Sequence, residues 1–135
     1  MKIEFKFQFS TAPRAKDAFE MCVEGCWEGE LHVVRGPSGS GKSTLLKLFA
    51  GLITPQEGTI ALNDRRLIDT TGHIHVPAEA RRIGMVFQES LLFPHLSVER
   101  NILYGNRDTE FADLLMQALE IDSIKHAKPE NISGG

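Results

Sequence analysis

Apolar and polar residues alternate along the start of the chain, where positions 3, 5, 7 and 9 are apolar. A period of two is typical of a strand with one buried face, so the pattern predicts a strand at residues 2–9. Residues 19–23 alternate in the same way and predict a second strand. A polar turn at residues 10–17 separates the two predicted strands, and Gly25 together with residues 28–30 predicts another turn.

Two short apolar runs, residues 31–35 and 83–87, predict strands that are buried on both faces. The first run leads directly into a glycine-rich loop. Helix formers at residues 43–50 then predict a helix, and Gly51 is a natural residue to end it. The sequence therefore contains a unit of strand, glycine loop and helix.

The middle of the chain gives weaker signals. Residues 59–62 predict a short strand, and Asn63 followed by Asp64 predicts a turn. Residues 64–82 contain four arginines and little periodicity. We therefore expect an exposed, loop-rich connection there.

Two helices are predicted in the last third of the chain. The first begins at the cap residue Ser97 and ends at Gly105. The second begins near Thr109, since apolar residues then recur at helical spacing: Phe111, Leu114, Leu115, Ala118 and Leu119. Residues 122–127 predict a further turn or two of helix before Pro129.

Composition excludes several classes of protein. The 135 residues are 41% hydrophobic and carry a net charge of −3, values that do not fit a disordered chain. No apolar run approaches the roughly 18–20 residues that cross a bilayer, and the alternating N-terminus does not resemble a signal peptide. The mild acidity argues against nucleic acid as a partner.

Cysteine and histidine residues give little evidence of a metal site. Cys22 and Cys26 are the only cysteines, too few for a typical zinc site, and we expect reduced thiols. His73 and His75 would share one face of a strand, so a metal role stays open. A polar hairpin is the favoured interpretation, since no further ligand is nearby in the sequence. His32 is expected to be a packed residue.

The strongest motif is the glycine-rich loop, which matches G-x-x-x-x-G-K-S in full. Glycines let the backbone wrap closely around a phosphate, and the N-terminus of the following helix favours anions. Lys42 can reach the β- and γ-phosphates, and Ser43 offers a hydroxyl to Mg²⁺. The sequence therefore predicts binding of a nucleoside triphosphate. The predicted binding residues are Gly36, Pro37, Ser38, Gly39, Ser40, Gly41, Lys42, Ser43 and Thr44.

Two further landmarks accompany this loop, Gln88 after the second apolar run and the final residues N-I-S-G-G. In this order the three motifs resemble those of the ATP-binding subunits of ABC transporters. The segment GPSGSGKSTLLKLFAGL resembles the Walker A motif of that family. The segment MVFQESLLFPHLSVERNI resembles its Q-loop, and NISGG resembles the first part of the L-S-G-G-Q signature.

The resemblance implies an α/β fold of the P-loop NTPase class, in its ABC ATPase form. Such a fold has an N-terminal antiparallel β region, an α/β core and a helical subdomain, here with an incomplete core sheet. Residues 1–135 would form a partial ABC ATP-binding domain. Residues 1–96 would be the β region and P-loop core, and residues 97–135 the helical subdomain up to the signature.

The resemblance also implies roles for individual residues, with ATP and Mg²⁺ as cofactors. Gln88 would approach Mg²⁺ and the attacking water, so that Ser43 and Gln88 form the metal site. Ser133, Gly134 and Gly135 would bind the γ-phosphate of an ATP held by a second ATP-binding subunit, in a head-to-tail dimer.

The implied partner is a transmembrane permease, so that the subunit would be cytoplasmic and peripheral on the inner face of the membrane. Residues 93–96 would receive the coupling helix of that permease. The alternative for these four residues is an apolar loop packed on its own domain.

The segment from Pro77 to Gly84, together with LFPH and the following N-x-x-Y-G, is most similar to the ATPases of molybdate importers. Importers of sulfate, iron, polyamines and sugars share much of this likeness. This part of an importer does not touch the transported solute, so molybdate remains one possibility among them.

The sequence departs from the family pattern in several places. Ile132 stands where the signature has Leu, and near residues 10–13 no aromatic residue is present to stack on adenine, so Phe9 is the candidate substitute. After Gly135 the signature Gln, the Mg²⁺-organising Asp, its neighbouring Glu and the switch His are absent. We therefore expect that this 135-residue chain alone hydrolyses ATP negligibly. We also expect an exposed sheet edge and low stability.

Three hypotheses follow. The chain is the N-terminal part of an ATP-hydrolysing importer subunit, which by family is a translocating ATPase. Alternatively it is a truncated module that binds nucleotide or a permease without turnover. An unrelated P-loop NTPase is the third, and the matches at Gln88 and at residues 133–135 argue against it.

Overall fold

The computed structural model describes residues 1–11, 18–88, 91–105 and 107–132. The chain divides into two compact units, residues 1–85 and residues 86–135. The prediction that a helical subdomain begins at residue 97 stays a prediction.

The first unit is built on a five-stranded sheet with the strand order β2-β1-β3-β4-β5, in which every neighbouring pair is antiparallel. The alternating N-terminal segment forms β1, which confirms that prediction. The strand predicted at 59–62 lies within β3, and the strand predicted at 19–23 overlaps the start of β2, which continues five residues further. The strands are β1 (Lys2–Ser10), β2 (Glu20–Glu28), β3 (Glu57–Leu62), β4 (Arg65–Asp69) and β5 (Ile74–His75).

One face of this sheet shares its core with the first helix, α1 (Lys42–Ala50). Phe5 and Phe7 point from β1 into this core, because their alternation with Lys6 and Gln8 separates buried from exposed positions. The ring centroids of Phe5 and Phe49 are 5.1 Å apart. The helix that follows the glycine loop is thus anchored on the sheet by apolar packing.

β2 continues through Gly25, so the predicted turn there is wrong. Gly25 faces Phe5 across the β1–β2 pair, and a Cβ atom at Gly25 would lie 2.7 Å from Cζ of the Phe5 ring. Glycine at this position makes room for the aromatic ring inside a strand. The chain bends after β2, at Gly29 and Glu30, so the part of the predicted turn at residues 28–30 is confirmed at these two residues.

The two apolar runs at residues 31–35 and 83–87 are not strands, which corrects the prediction of two buried core strands. Leu31 and Val33 are 83% and 68% exposed, and Val86 is 97% exposed. A strand needs a backbone partner, and within the described residues no strand pairs with either run. Their apolar character therefore does not by itself produce a sheet.

Residues 64–82 are more regular than expected, which corrects the prediction of a loop-rich connection. They contain β4, β5 and a short helix, α2 (Ala78–Arg81). Asn63 and Asp64 have positive φ angles of 47° and 64°, the conformation that suits a tight two-residue hairpin turn. That turn joins β3 directly to β4.

The second unit is helical in its described part. It contains α3 (Val98–Gly105), α4 (Thr109–Ala118) and single 3₁₀ turns at Asp122–Ile124 and Pro129–Asn131. The predicted helices are confirmed to within one residue at their starts. No helix among the described residues has the length and apolar character that a membrane span requires.

Candidate phosphate-binding site

The glycine-rich loop adopts a conformation that two of its glycines make possible. Gly39 and Gly41 have φ angles of 79° and 87°, a region that residues with a Cβ rarely adopt. A Cβ at Gly41 would also lie 2.3 Å from Cε of Met21 and 2.6 Å from Cζ of Phe19. Gly41 is therefore required both by the backbone turn and by the side chains that pack against it.

The loop leads into the N-terminus of α1, where backbone donors are available. The amide of Leu45 donates to the carbonyl of Gly41 over 2.8 Å, so the amides of Lys42, Ser43 and Thr44 precede this hydrogen bond. The N-cap residue is Gly41, which has no side chain to cap this end of the helix. Together with the positive end of the helix dipole, these amides fit a bound anion.

The ammonium group of Lys42 is folded back over the loop. Its Nζ donates to the carbonyl oxygens of Gly36 at 2.9 Å and Pro37 at 2.6 Å, and it lies 3.4 Å from Oγ of Ser40. The positive charge is thus held beside the same loop whose backbone amides favour an anion. A phosphate that contacts Lys42 would share or replace these hydrogen bonds.

A divalent cation at this loop would depend on Ser43 and on the phosphates themselves. Ser43 is exposed in the first turn of α1, and its hydroxyl is the kind of oxygen ligand that Mg²⁺ prefers. The described part of the chain holds no group of three or more His, Cys, Asp or Glu side chains that could bind a metal. Cys22 and Cys26 are free, exposed thiols.

The remaining predicted site residues lie outside the first unit. Gln88 is exposed in the second unit. Ser133, Gly134 and Gly135 lie outside the described residues. The roles implied for these four residues stay predictions.

Phe9, the candidate for stacking on adenine, packs against the core of the first unit. The aromatic ring that lies against the glycine loop is Phe19, as its contact with Gly41 indicates. The alternation at residues 19–23 predicts a strand that includes Phe19, and it indicates no functional role for this residue. Phe19 directly precedes β2, and the side chain of Met21 in β2 also lies beside Gly41.

Asn101 is a second residue that sequence reasoning missed, and it organises the loop at residues 93–97. Its Oδ1 accepts a hydrogen bond from the amide of Phe93 at 2.8 Å. Its Nδ2 donates to the carbonyls of Phe93, Leu96 and Ser97 at 3.0–3.2 Å. One side chain from α3 thus fixes the backbone of the loop predicted to meet the permease.

Arg81 is the third such residue, and it lies at the opposite end of α1 from the glycine loop. Only 2% of Arg81 is exposed, and its guanidinium donates to the carbonyls of Leu48, Phe49 and Val76. Burial lowers the pKa of Arg81. The sequence could not have revealed the contacts with α1, because they join residues more than thirty positions apart.

Comparison with known families supplies the class of protein: residues 23–135 match the ABC transporter family. This match covers most of the chain, so the chain belongs to the ABC transporter family. The P-loop, with its glycines and the helix that follows, is part of the matched region.

Similar curated relatives include molybdenum import ATP-binding proteins, named ModC. The protein from Mesorhizobium japonicum is 44% identical over 124 residues, which cover 86% of this chain and 34% of the relative. The protein from Vibrio parahaemolyticus is 43% identical over 108 residues, which cover 78% of this chain and 29% of the relative. The chain therefore spans about a third of the length of these relatives.

Solved structures support the fold. A post-hydrolysis dimer of the ATP-binding cassette MJ0796, bound to ADP and Pi, matches 97% of this chain and 63% of that chain, with a TM-score of 0.65 and 23% identity. A second dimeric structure of the same bacterial ABC transporter cassette matches equally well, at 24% identity. The predicted fold class, an α/β P-loop NTPase of the ABC ATPase form, is confirmed.

Proposed function

We propose that this chain binds ATP with Mg²⁺ through its glycine-rich loop, as part of the ATP-binding subunit of an ABC importer for molybdate. The observation that carries the proposal is the combination of two positive-φ glycines, the uncapped N-terminus of α1 and the ammonium of Lys42 over the loop. The residues that would surround the phosphates are Gly36, Pro37, Ser38, Gly39, Ser40, Gly41, Lys42, Ser43 and Thr44.

Each group in the loop has a distinct task in this proposal. The amides of residues 42–44 donate to phosphate oxygens, where the helix dipole adds a favourable field. Lys42 exchanges its carbonyl partners for the β- and γ-phosphates, a stronger pairing because both partners are charged. Ser43 directs its hydroxyl to Mg²⁺, and the bound metal neutralises phosphate charge.

The importer part of the proposal is supported by the relatives, which are named as molybdenum import proteins. In this proposal a transmembrane permease and a second ATP-binding subunit are the partners, and the subunit lies at the cytoplasmic face of the membrane. Gln88 positions the attacking water, and Ser133, Gly134 and Gly135 contact the ATP of the other subunit. Dimers among the solved cassettes are consistent with the subunit pair.

The nucleotide proposal is tested by titrating the chain with ATP and Mg²⁺ and comparing two lysine variants. We expect Lys42→Ala to weaken ATP binding about 10- to 100-fold, the effect of losing one charge-assisted hydrogen bond. Lys47→Ala is the matched control, since Lys47 is an exposed lysine in the last turn of the same helix. It should bind ATP nearly as the parent chain does.

AMP distinguishes phosphate recognition from general nucleotide binding, because it lacks the phosphates that Lys42 would contact. We expect AMP to compete poorly with ATP. Equal affinity for ATP in the Lys42→Ala and Lys47→Ala variants would contradict the proposed site.

The solute is tested separately, by molybdate uptake in cells whose uptake depends on the protein that carries this chain. Lys42→Ala should abolish uptake and Lys47→Ala should preserve it. Uptake of sulfate, measured in parallel, should be unaffected by either change. If sulfate uptake falls with Lys42→Ala and molybdate uptake does not, the assignment of molybdate is wrong.

A further inference from the structure

Arg81 is a buried cation whose only hydrogen-bond partners in the described structure are backbone carbonyls. Its Nη1 donates to the carbonyls of Leu48 and Phe49, both at 2.8 Å, and its Nε donates to the carbonyl of Val76 at 2.8 Å. Among the described residues no carboxylate forms an ion pair with it. Its Nη2 is buried and has no hydrogen-bond partner among the residues that the structure describes.

The carbonyls of Leu48 and Phe49 lie at the C-terminal end of α1. Leu48 and Phe49 belong to the last turn of α1, where helix carbonyls lack partners within the helix. The carbonyl of Leu48 also accepts a hydrogen bond from the amide of Gly51 at 3.2 Å. A cation at this end is also favoured by the helix dipole. Arg81 therefore caps the C-terminus of α1, and the N-terminus of the same helix carries Lys42 and Ser43.

The close approach of the guanidinium depends on Gly51. This residue ends α1 with a φ angle of 80°, and a Cβ there would lie 2.5 Å from Nε and 2.6 Å from Cζ of Arg81. The helix end and the guanidinium thus fit each other closely. Through Val76 the same side chain ties α1 to the segment that follows β5.

We propose that Arg81 is a positioning residue for the phosphate site, which holds α1 in the orientation that presents Lys42 and the first-turn amides to ATP. The inference rests on the proposed nucleotide binding. A helix of nine residues is about 13 Å long and moves as a rigid rod, so a shift at its C-terminus also moves its N-terminus. Arg81 touches no nucleotide in this proposal and acts through α1.

The experiment compares Arg81→Lys with Arg82→Met in the chain, by ATP titration and by the backbone amide resonances of α1. Both residues are arginines in adjacent positions, but Arg82 is exposed. We expect Arg81→Lys to weaken ATP binding by about tenfold, because one ammonium cannot reach three carbonyls as the planar guanidinium does. It should also shift the amide resonances of residues 42–44 without nucleotide. Arg82→Met should change neither the ATP affinity nor the amide resonances of residues 42–44.

Chemical rescue separates positioning from a general loss of folding. Arg81→Ala leaves a space that ethylguanidinium can fill, and ethylguanidinium should restore ATP affinity whereas ethylammonium should not. The inference would be overturned if both compounds restored ATP affinity. It would also be overturned if neither compound did so in an Arg81→Ala variant whose circular dichroism is that of the folded chain. An Arg81→Ala variant that is unfolded without ethylguanidinium and folds with it would contradict the inference, because Arg81 would then be needed for folding and not for orienting α1.

The outcomes also distinguish this inference from the proposed function. A parent chain that does not bind ATP contradicts the proposed function. A parent chain that binds ATP, together with an Arg81→Lys variant of unchanged affinity and unchanged amide resonances at residues 42–44, contradicts the role of Arg81 alone.

Discussion

The first unit buries a continuous apolar core, whereas the described part of the second unit buries few side chains. In residues 1–85 five large side chains from β1, α1, β3 and β4 are no more than 2% exposed: Phe7, Leu48, Ile60, Leu67 and Ile68. In the second unit the buried apolar residues are Ala112 and Met116, both on α4, and α3 has none among its described residues.

The second unit has a cluster of hydrogen bonds to backbone groups where α3 begins. Asn101 fixes the loop at residues 93–97, and the amides of Val98 and Glu99 donate to the carbonyls of Ala127 and Lys125, both at 3.0 Å. Apolar burial therefore stabilises the sheet and α1 in the first unit. In the second unit, hydrogen bonds from the Asn101 side chain to the backbone stabilise the loop that is predicted to meet the permease. Regions of low apolar burial open more readily than a packed core.

The largest expected effect is that of Leu48→Ala in the first unit. Leu48 is fully buried, so its truncation should lower the free energy of unfolding by about 2–5 kcal/mol. Leu46→Ala is the matched control on the same helix, since Leu46 is 48% exposed and should change stability by about 0.5 kcal/mol or less. Urea unfolding followed by the fluorescence of Trp27, which packs on Phe49, measures both. If both changes lowered the free energy of unfolding equally, the expected difference between buried and exposed positions of α1 would be contradicted.

A smaller and more local effect is expected from Asn101→Ala in the second unit. The change leaves the backbone groups of Phe93 and Leu96 without this partner, at a cost of about 1–3 kcal/mol. Amide hydrogen exchange should accelerate at residues 93–105 and stay unchanged in β1 and β3. Arg100→Ala, a change at an exposed neighbouring position, is the control and should leave the exchange pattern as it is. Acceleration that spreads equally through the first unit would contradict the comparison.

The smallest effect concerns Asp69, at the end of β4. The amide of Gly72 and the guanidinium of Arg66 hold the pKa of Asp69 below its ordinary value of 3.8. Its charged form therefore stabilises the folded chain above that value, and this contribution is lost as the pH falls through the lowered pKa.

We expect Asp69→Asn to be slightly less stable than the parent chain at neutral pH, with the difference shrinking as the solution is acidified below the ordinary Asp range. Thermal unfolding at several pH values measures this difference in stability between the Asp69→Asn variant and the parent chain. Glu57→Gln, at an exposed position in β3, is the control. A stability difference that grows on acidification would contradict the expected direction of this effect.

The sequence predicts best where a single periodic pattern covers a whole element. β1 shows the alternation of a half-buried strand, and α4 has the apolar spacing of a helix together with Asp108, which caps it through the amide of Phe111. The phosphate loop is predicted from its motif alone, because its chemistry depends on consecutive residues. The structure describes its conformation and adds the contacts of Lys42.

β4 was missed for a physical reason. The pairing of β3 with β4 shifts register between Ile60 and Ala61, so that Leu67 and Ile68 are both buried although they are consecutive. Such a bulge breaks the alternation by which a strand is predicted. The roles of Arg81 and Asn101 were missed because a contact between a side chain and a backbone carbonyl leaves no pattern in the sequence.

The central claim, that the glycine-rich loop binds the phosphates of ATP, is tested most directly by amide hydrogen exchange of the chain with and without MgATP. We predict slower exchange at residues 36–44, with little change in α3 and α4, and weaker protection in the Lys42→Ala variant at the same concentration of MgATP. If saturating MgATP leaves the amides of residues 36–44 unchanged, or protects only residues elsewhere in the chain, the claim is wrong.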